Sequence, residues 1–281
     1  MMMRSKHLGI PGSAMILLAL LCGLWPGARC VAQSQVETII QRSVEANERD
    51  WKADAEYGFF ERDIENGADR TNHVTMIDGS PYYQLVELNG KPISTADQAK
   101  EEQKLQQTIA QRRRETPSQR AARVVRYQRD RTRDHLLMEQ LTKAFSFKLE
   151  GEQKFGDFEV YVLAATPLPA YTPPNRDTRV LTGMNGKLWI DKKTYQWVRV
   201  EAHVIHPVAI EGFLARVEPG TEFELEKMPV GEGIWLPKHF AMKAYAKILG
   251  LFSHHEQEEE SYWGYHKGPA NAPAVPPPAA M

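Results

Sequence analysis

Gly186-Lys187-Leu188-Trp189-Ile190-Asp191-Lys192-Lys193-Thr194-Tyr195-Gln196-Trp197-Val198-Arg199-Val200-Glu201 reads as two strands around a turn. Side chains alternate across a strand, so Leu188 and Ile190 share one face while Trp189 takes the other, and Trp197 opposes Val198. Asp191-Lys192-Lys193-Thr194 is the compact turn between them. Strands this close must pair antiparallel, because a parallel crossover needs roughly a dozen residues or more. The same pattern extends outward. Strands are predicted at 155–165, 186–191, 196–206, 209–217, 221–227 and 234–249, with a polar one near 256–265.

The N-terminal side adds helices and a meander. Val36, Ile39, Ile40, Val44 and Trp51 recur near helical spacing and predict an amphipathic helix over 35–50. Three strands follow, at about 55–62, 70–78 and 82–88, punctuated by Asn66-Gly67, Asp78-Gly79 and Asn89-Gly90, which are hairpin-turn signals. From 94 to 145 glycine is absent, and the one proline, Pro117, sits in Thr116-Pro117-Ser118. Two helices divided at that point fit, since proline ends one helix and suits the first turn of the next. The expected class is α+β, with a long antiparallel sheet curled into an incomplete, half-open β-barrel. The N-terminal helix and the central helical hairpin cover it. So long a sheet must curl or split, and curling leaves a concave apolar face for a hydrophobic ligand.

Composition alone is uninformative: 281 residues, 42% hydrophobic, 25% charged, net charge −1. These values exclude collagen-like, coiled-coil and polytopic membrane chains. Division of the chain makes them informative. Arg4 and Lys6 precede an uncharged apolar run, 14–25, then Pro26-Gly27 and small residues at Cys30 and Ala32. That is the layout of a secretory signal peptide over 1–32, cut before Gln33. A permanent N-terminal anchor is the alternative. Without the leader, 33–281 carries net charge −4 and no cysteine, which removes disulfides and thiolate metal sites. Residues 33–267 then form one domain, with 94–145 as its helical insertion, and 268–281, rich in proline and alanine, is a disordered tail.

Catalytic chemistry finds little support. No HExxH, CxxC, GxSxG, SxxK or phosphate-binding loop is present. His203 and His206 lie three apart in a strand and point to opposite faces, while His254 and His255 lie in a polar strand. Glu56 and Glu61, and Glu222, Glu224 and Glu226, alternate as solvent-facing sets would. A distant carboxylate pair stays open, because sequence does not show its spacing. The expectation is no catalytic residue, no metal and no cofactor.

Two clusters stand out. Nine arginines fall between Arg112 and Arg133, and Arg120, Arg123, Arg126 and Arg129 repeat every three residues along one drifting helix face. They would meet anionic headgroups or an acidic partner protein, or form a solvated face. Trp189, Phe213, Phe223, Leu225 and Phe240 are the candidate ligand-binding residues, and ordinary core is the alternative for them.

One resemblance carries further. The signal peptide, the amphipathic first helix and the aromatic first strand ending in Glu61-Arg62 form part of it. So do Leu88-Asn89-Gly90-Lys91-Pro92-Ile93-Ser94, the two helices, Gly186-Lys187-Leu188-Trp189-Ile190-Asp191 and Gly233-Ile234-Trp235-Leu236-Pro237. Together they resemble the outer-membrane lipoprotein-sorting-like proteins, the LolA/LolB/RseB superfamily. The resemblance spans most of 35–265. It implies a half-barrel with an apolar cavity for acyl chains and a non-catalytic periplasmic role. The chain departs from LolA in length and in its arginine-rich insertion, and from LolB in lacking a lipobox cysteine. The function expected is therefore an exported, non-enzymatic binder or carrier of a lipid or acylated protein. Peripheral contact with a membrane surface fits it, and nucleic acid does not. The alternative is an envelope interaction protein using its sheet and arginine helix to bind another envelope protein. A hydrolase is the third reading.

Overall fold

The computed structural model describes residues 26–210, 215–249 and 252–267. Of the leader expected over 1–32, residues 1–25 lie outside the described residues, as does the tail expected over 268–281. The first helix, α1 (Pro26–Asp54), is longer than its periodicity suggested at both ends. Its buried positions are Val36, Ile39, Ser43, Ala46 and Asp50, a three-four spacing that forms one narrow seam. Val44, expected on that seam, is exposed. Small Ser43 and Ala46 take the inward places and let the helix approach the sheet closely.

The meander forms as expected: β1 (Tyr57–Glu65), β2 (Ala68–Ile77) and β3 (Ser80–Leu88), with a two-residue strand β4 (Lys91–Pro92) on its edge. Asn66-Gly67, Asp78-Gly79 and Asn89-Gly90 all have positive φ at both positions. That is the left-handed pair whose twist suits a two-residue hairpin turn. Helix α2 (Thr95–Arg113) starts at Ser94, whose hydroxyl accepts from the Asp97 amide. Helix α3 (Pro117–Ala144) starts at Thr116 with Pro117 in its first turn. The Thr116 hydroxyl accepts from the Gln119 amide and the Gln119 side chain accepts from the Thr116 amide, a reciprocal cap.

Beyond α3 the strands are β5 (Phe145–Phe155), β6 (Phe158–Pro167), β7 (Met184–Asp191) and β8 (Trp197–Val204). They continue as β9 (Val208–Ala209), β10 (Ala215–Val217), β11 (Glu222–Gly231), β12 (Ile234–Ile248) and β13 (Phe252–Lys267). Two expectations change. The strand expected at 155–165 starts at Phe158, and a separate strand, β5, precedes it. The strand expected at 209–217 is two short pieces, β9 and β10, on either side of 211–214. Asp191 closes the β7–β8 turn: it is buried and accepts from the Lys193 and Thr194 amides and the Thr194 hydroxyl.

All neighbours pair antiparallel in the order β4-β3-β2-β1-β13-β12-β11-β8-β7-β6-β5. The two ends do not meet, so the sheet is an incomplete barrel. Helix α3 touches β3 near one edge and runs directly into β5 at the other. The helical hairpin thus spans the gap that the strands leave. The main core, with Val36, Ile39, Leu163, Leu188, Ile190 and Trp197, lies between helices and sheet. A smaller cluster of Val160, Val162, Trp189 and Val198 covers the opposite face of the same strands. Trp189 and Val198 therefore sit opposite Leu188 and Trp197, as the alternation required.

Arginines fasten the helical hairpin to the meander. Arg112 is buried and donates to the carbonyls of Ile77 (2.7 Å), Ser80 (2.8 Å) and Pro81 (3.0 Å). Replacing Arg112 by Met leaves these oxygens without their donor. We expect a loss of about 1–3 kcal/mol in chemical unfolding, whereas Arg120→Met should change stability by no more than about 0.5 kcal/mol.

Candidate functional site

Between α1, α3 and the β11–β12 ladder lies a solvent-open cavity of about 370 Å³. Leu225, Phe240, Leu236 and Pro237 from the sheet, Trp51 from α1 and Met138 from α3 give it a mainly apolar wall. Its polar residues are turned toward one another. Lys227 is buried and donates to Asp50 Oδ2 (2.6 Å) and Asn47 Oδ1 (2.9 Å). The second Asp50 oxygen accepts from Gln196 Nε2 and from the Trp235 amide, both at 3.0 Å. Burial pulls the Lys227 ammonium below its usual range, and Asp50 opposes the shift.

A second pair closes the rim. Arg131 donates to Asp54 and to the Trp51 carbonyl, and its guanidinium lies 5.0 Å from the Trp51 ring. Burial pushes Asp54 up to about 6, against the pull of Arg131. His135 stacks on Trp51 at 4.3 Å and bonds Glu48 at 3.0 Å. With its cations engaged by these carboxylates, the cavity presents an apolar slot more than a charged one.

Of the candidate ligand residues, Leu225 and Phe240 pair across the ladder and both line this cavity. Phe223 is on the same face two residues away, packed against the main core. Trp189 is on the opposite face, in the filled outer cluster, so it does not join them. Phe213 lies outside the described residues. The arginine row also divides. Arg123 pairs with Glu115 (2.6 Å) and donates to Ser80 Oγ and the Asp78 carbonyl, whereas Arg120, Arg126 and Arg129 are exposed.

Asp50, Lys227, Gln196, Asn47, Trp51, Arg131 and His135 were not anticipated as site residues. Two signals were available. Lys227 falls in phase with inward Phe223 and Leu225, and Asp50 falls on the three-four seam of α1.

Beside Phe240 the concave face turns acidic. Glu260 is opposite both Phe240 and Asp63, and Tyr262 is opposite Glu61. Glu61 was expected to face solvent, but it is half-buried on this inner wall, and Glu56 precedes the strand. Glu222, Glu224 and Glu226 do lie on the outer face, where Arg199 bridges the latter two. Burial, then repulsion from Glu260 and Asp63, pushes Glu61 up to about 7. The same two causes push Glu258 up to about 7.

No family model matches the chain, and no curated protein matches it. Several solved structures are similar. An outer membrane lipoprotein-sorting protein domain from Vibrio parahaemolyticus is 12% identical, with TM-score 0.36, covering 82% of this chain and 92% of that one. A DUF1329 family protein from Desulfovibrio piger is 8% identical, with TM-score 0.31, covering 83% and 92%. A chain of the Pseudomonas aeruginosa MucA/MucB complex is 9% identical, with TM-score 0.23, covering 81% and 99%.

Two outcomes follow from the site. Asp50→Asn leaves Lys227 buried without its counter-charge and should cost about 3–5 kcal/mol in chemical unfolding. Combining it with Lys227→Met should restore much of that loss. Glu61 and Glu258 titrate near 7 when folded but near 4.5 when unfolded. The folded chain therefore holds more protons between those values, and stability falls as pH rises through that window. The melting temperature should drop from pH 5 to pH 8, and Glu61→Gln with Glu258→Gln should flatten the slope.

Proposed function

We propose that this chain is an exported, non-enzymatic carrier of an acyl chain, taken from a lipid or an acylated protein. The cavity between α1, α3 and β11–β12 is the observation that carries the reading. Its volume of about 370 Å³ falls within the roughly 300–1,000 Å³ of small-molecule sites. Its wall is apolar, and its charges neutralise one another within the rim. Such a slot rewards burial of a hydrocarbon chain and offers little to an ionic group. Its polar groups hold the wall in place. The leader over 1–32 and the resemblance to lipoprotein-sorting proteins fit an envelope location. Exposed Arg120, Arg126 and Arg129 favour the second reading, an envelope protein that binds an acidic partner through its helix.

Native mass spectrometry of protein purified from cells should show a co-purified acyl lipid. A fluorescent fatty acid should bind saturably, and Leu225→Glu, which places a carboxylate in the apolar wall, should weaken that binding at least tenfold. A bare mass together with non-saturable probe binding would sink the carrier reading.

A further inference from the structure

Nine large apolar side chains are exposed among the described residues, and four of them, Tyr245, Ile248, Leu249 and Phe252, lie within eight positions at one end of the β12–β13 hairpin. Phe252 is 63% exposed and Leu249 50%. This end stands beyond its neighbours. Pairing with β1 stops at Glu258 and pairing with β11 stops at Lys243. Past those points, among the described residues, β10 pairs with Ala246, Lys247 and Ile248, and Glu218 and Thr221 bond Tyr245. The five steps along β12 from Lys243 to Ile248 extend the hairpin by roughly 17 Å.

Charge divides at the same place. The sequence from Lys243 to His255 contains two lysines, two histidines and no acidic residue, whereas Glu256, Glu258, Glu259 and Glu260 follow at once on the shaft. Lys243, Lys247, His254 and His255 are exposed. Exposed apolar strand ends beside exposed lysines match an anionic bilayer, which needs no shaped groove to receive them. The apolar side chains enter the headgroup boundary and the lysines reach back to the phosphates.

We propose that the end of the β12–β13 hairpin is a membrane-docking element that inserts Ile248, Leu249 and Phe252 into the interfacial layer of an anionic bilayer. Ile248 and Phe252 pair directly. By alternation they lie on the same face as Ala246, Met242 and Phe240, so an apolar stripe leads from the docked tip toward the cavity. Docking does not depend on the acyl-carrier reading; only the use of that stripe for loading rests on it.

The test is flotation of the full chain with vesicles of phosphatidylethanolamine and phosphatidylglycerol, against vesicles of phosphatidylcholine. The wild type should float with the anionic vesicles. Ile248→Thr, Leu249→Asn and Phe252→Thr combined should lower partitioning at least tenfold with the melting temperature nearly unchanged. Threonine keeps the strand ends, and asparagine suits the φ of 52° at Leu249. The triple variant should still bind the fluorescent fatty acid in detergent-free solution, and Leu225→Glu should still float, so failures of docking and of carriage are separable. Three results overturn the docking proposal. One is a wild type that does not float. Another is a triple variant that floats like the wild type while Arg120, Arg126 and Arg129 replaced by Gln does not, which would move the contact to the arginine helix. The third is concentration-dependent self-association lost in the triple variant without flotation of the wild type, which would assign the tip to a second copy.

Discussion

The buried pair of Asp50 and Lys227 ties α1 to the sheet. Two charges taken out of water are tolerated only when each finds close partners. Here Asn47, Gln196 and the Trp235 amide supply them. The pair joins the last turns of the first helix to strands more than a hundred residues later, and the Gln196 bond brings in the end of the β7–β8 turn. A helix held at this point keeps its outer residues, Trp51 and Asp54, over the sheet, and α3 then adds Arg131, His135 and Met138 around them. The apolar slot exists because a polar knot beside it fixes its walls.

Charge has the same office elsewhere. The arginine-rich segment looked like a binding face, yet Arg112, Arg123 and Arg131 are spent inside the fold. Arg112 and Arg123 grip the carbonyls and hydroxyl of the β2–β3 turn, and Arg131 holds α3 against α1. The guanidinium suits this work because several donors in a rigid fork can satisfy several oxygens at once. Of the four arginines spaced three apart, Arg120, Arg126 and Arg129 stay exposed on the outward side.

Much of the fold was legible because it rests on local rules. Paired positive-φ turns, a proline with its capping threonine, and strict alternation around Asp191 all write their geometry into adjacent residues. Strand β5 was less visible because it follows Ala144 without a glycine or proline to mark the change. The site was harder to see for a different reason. Leu225 and Phe240 could be named as apolar, but which face met the helices depended on pairing between distant strands. Trp189 shows the limit: its strand assignment was right and its face was opposite to the cavity. Lys227 and Asp50 each break an apolar pattern in phase, and neither residue alone says that the other answers it.

The pairing of β1 with β13 has a consequence for how the molecule is made. Tyr57 lies opposite Lys267, so the meander β4-β3-β2-β1 joins the rest of the sheet only through the last described strand. During synthesis the early hairpins can form their own turns, but their pairing with the rest of the sheet waits for β13. Such distant pairing carries a loop-closure cost that slows folding. The meander therefore joins the sheet only once β13 is in place, with that strand acting as the clasp.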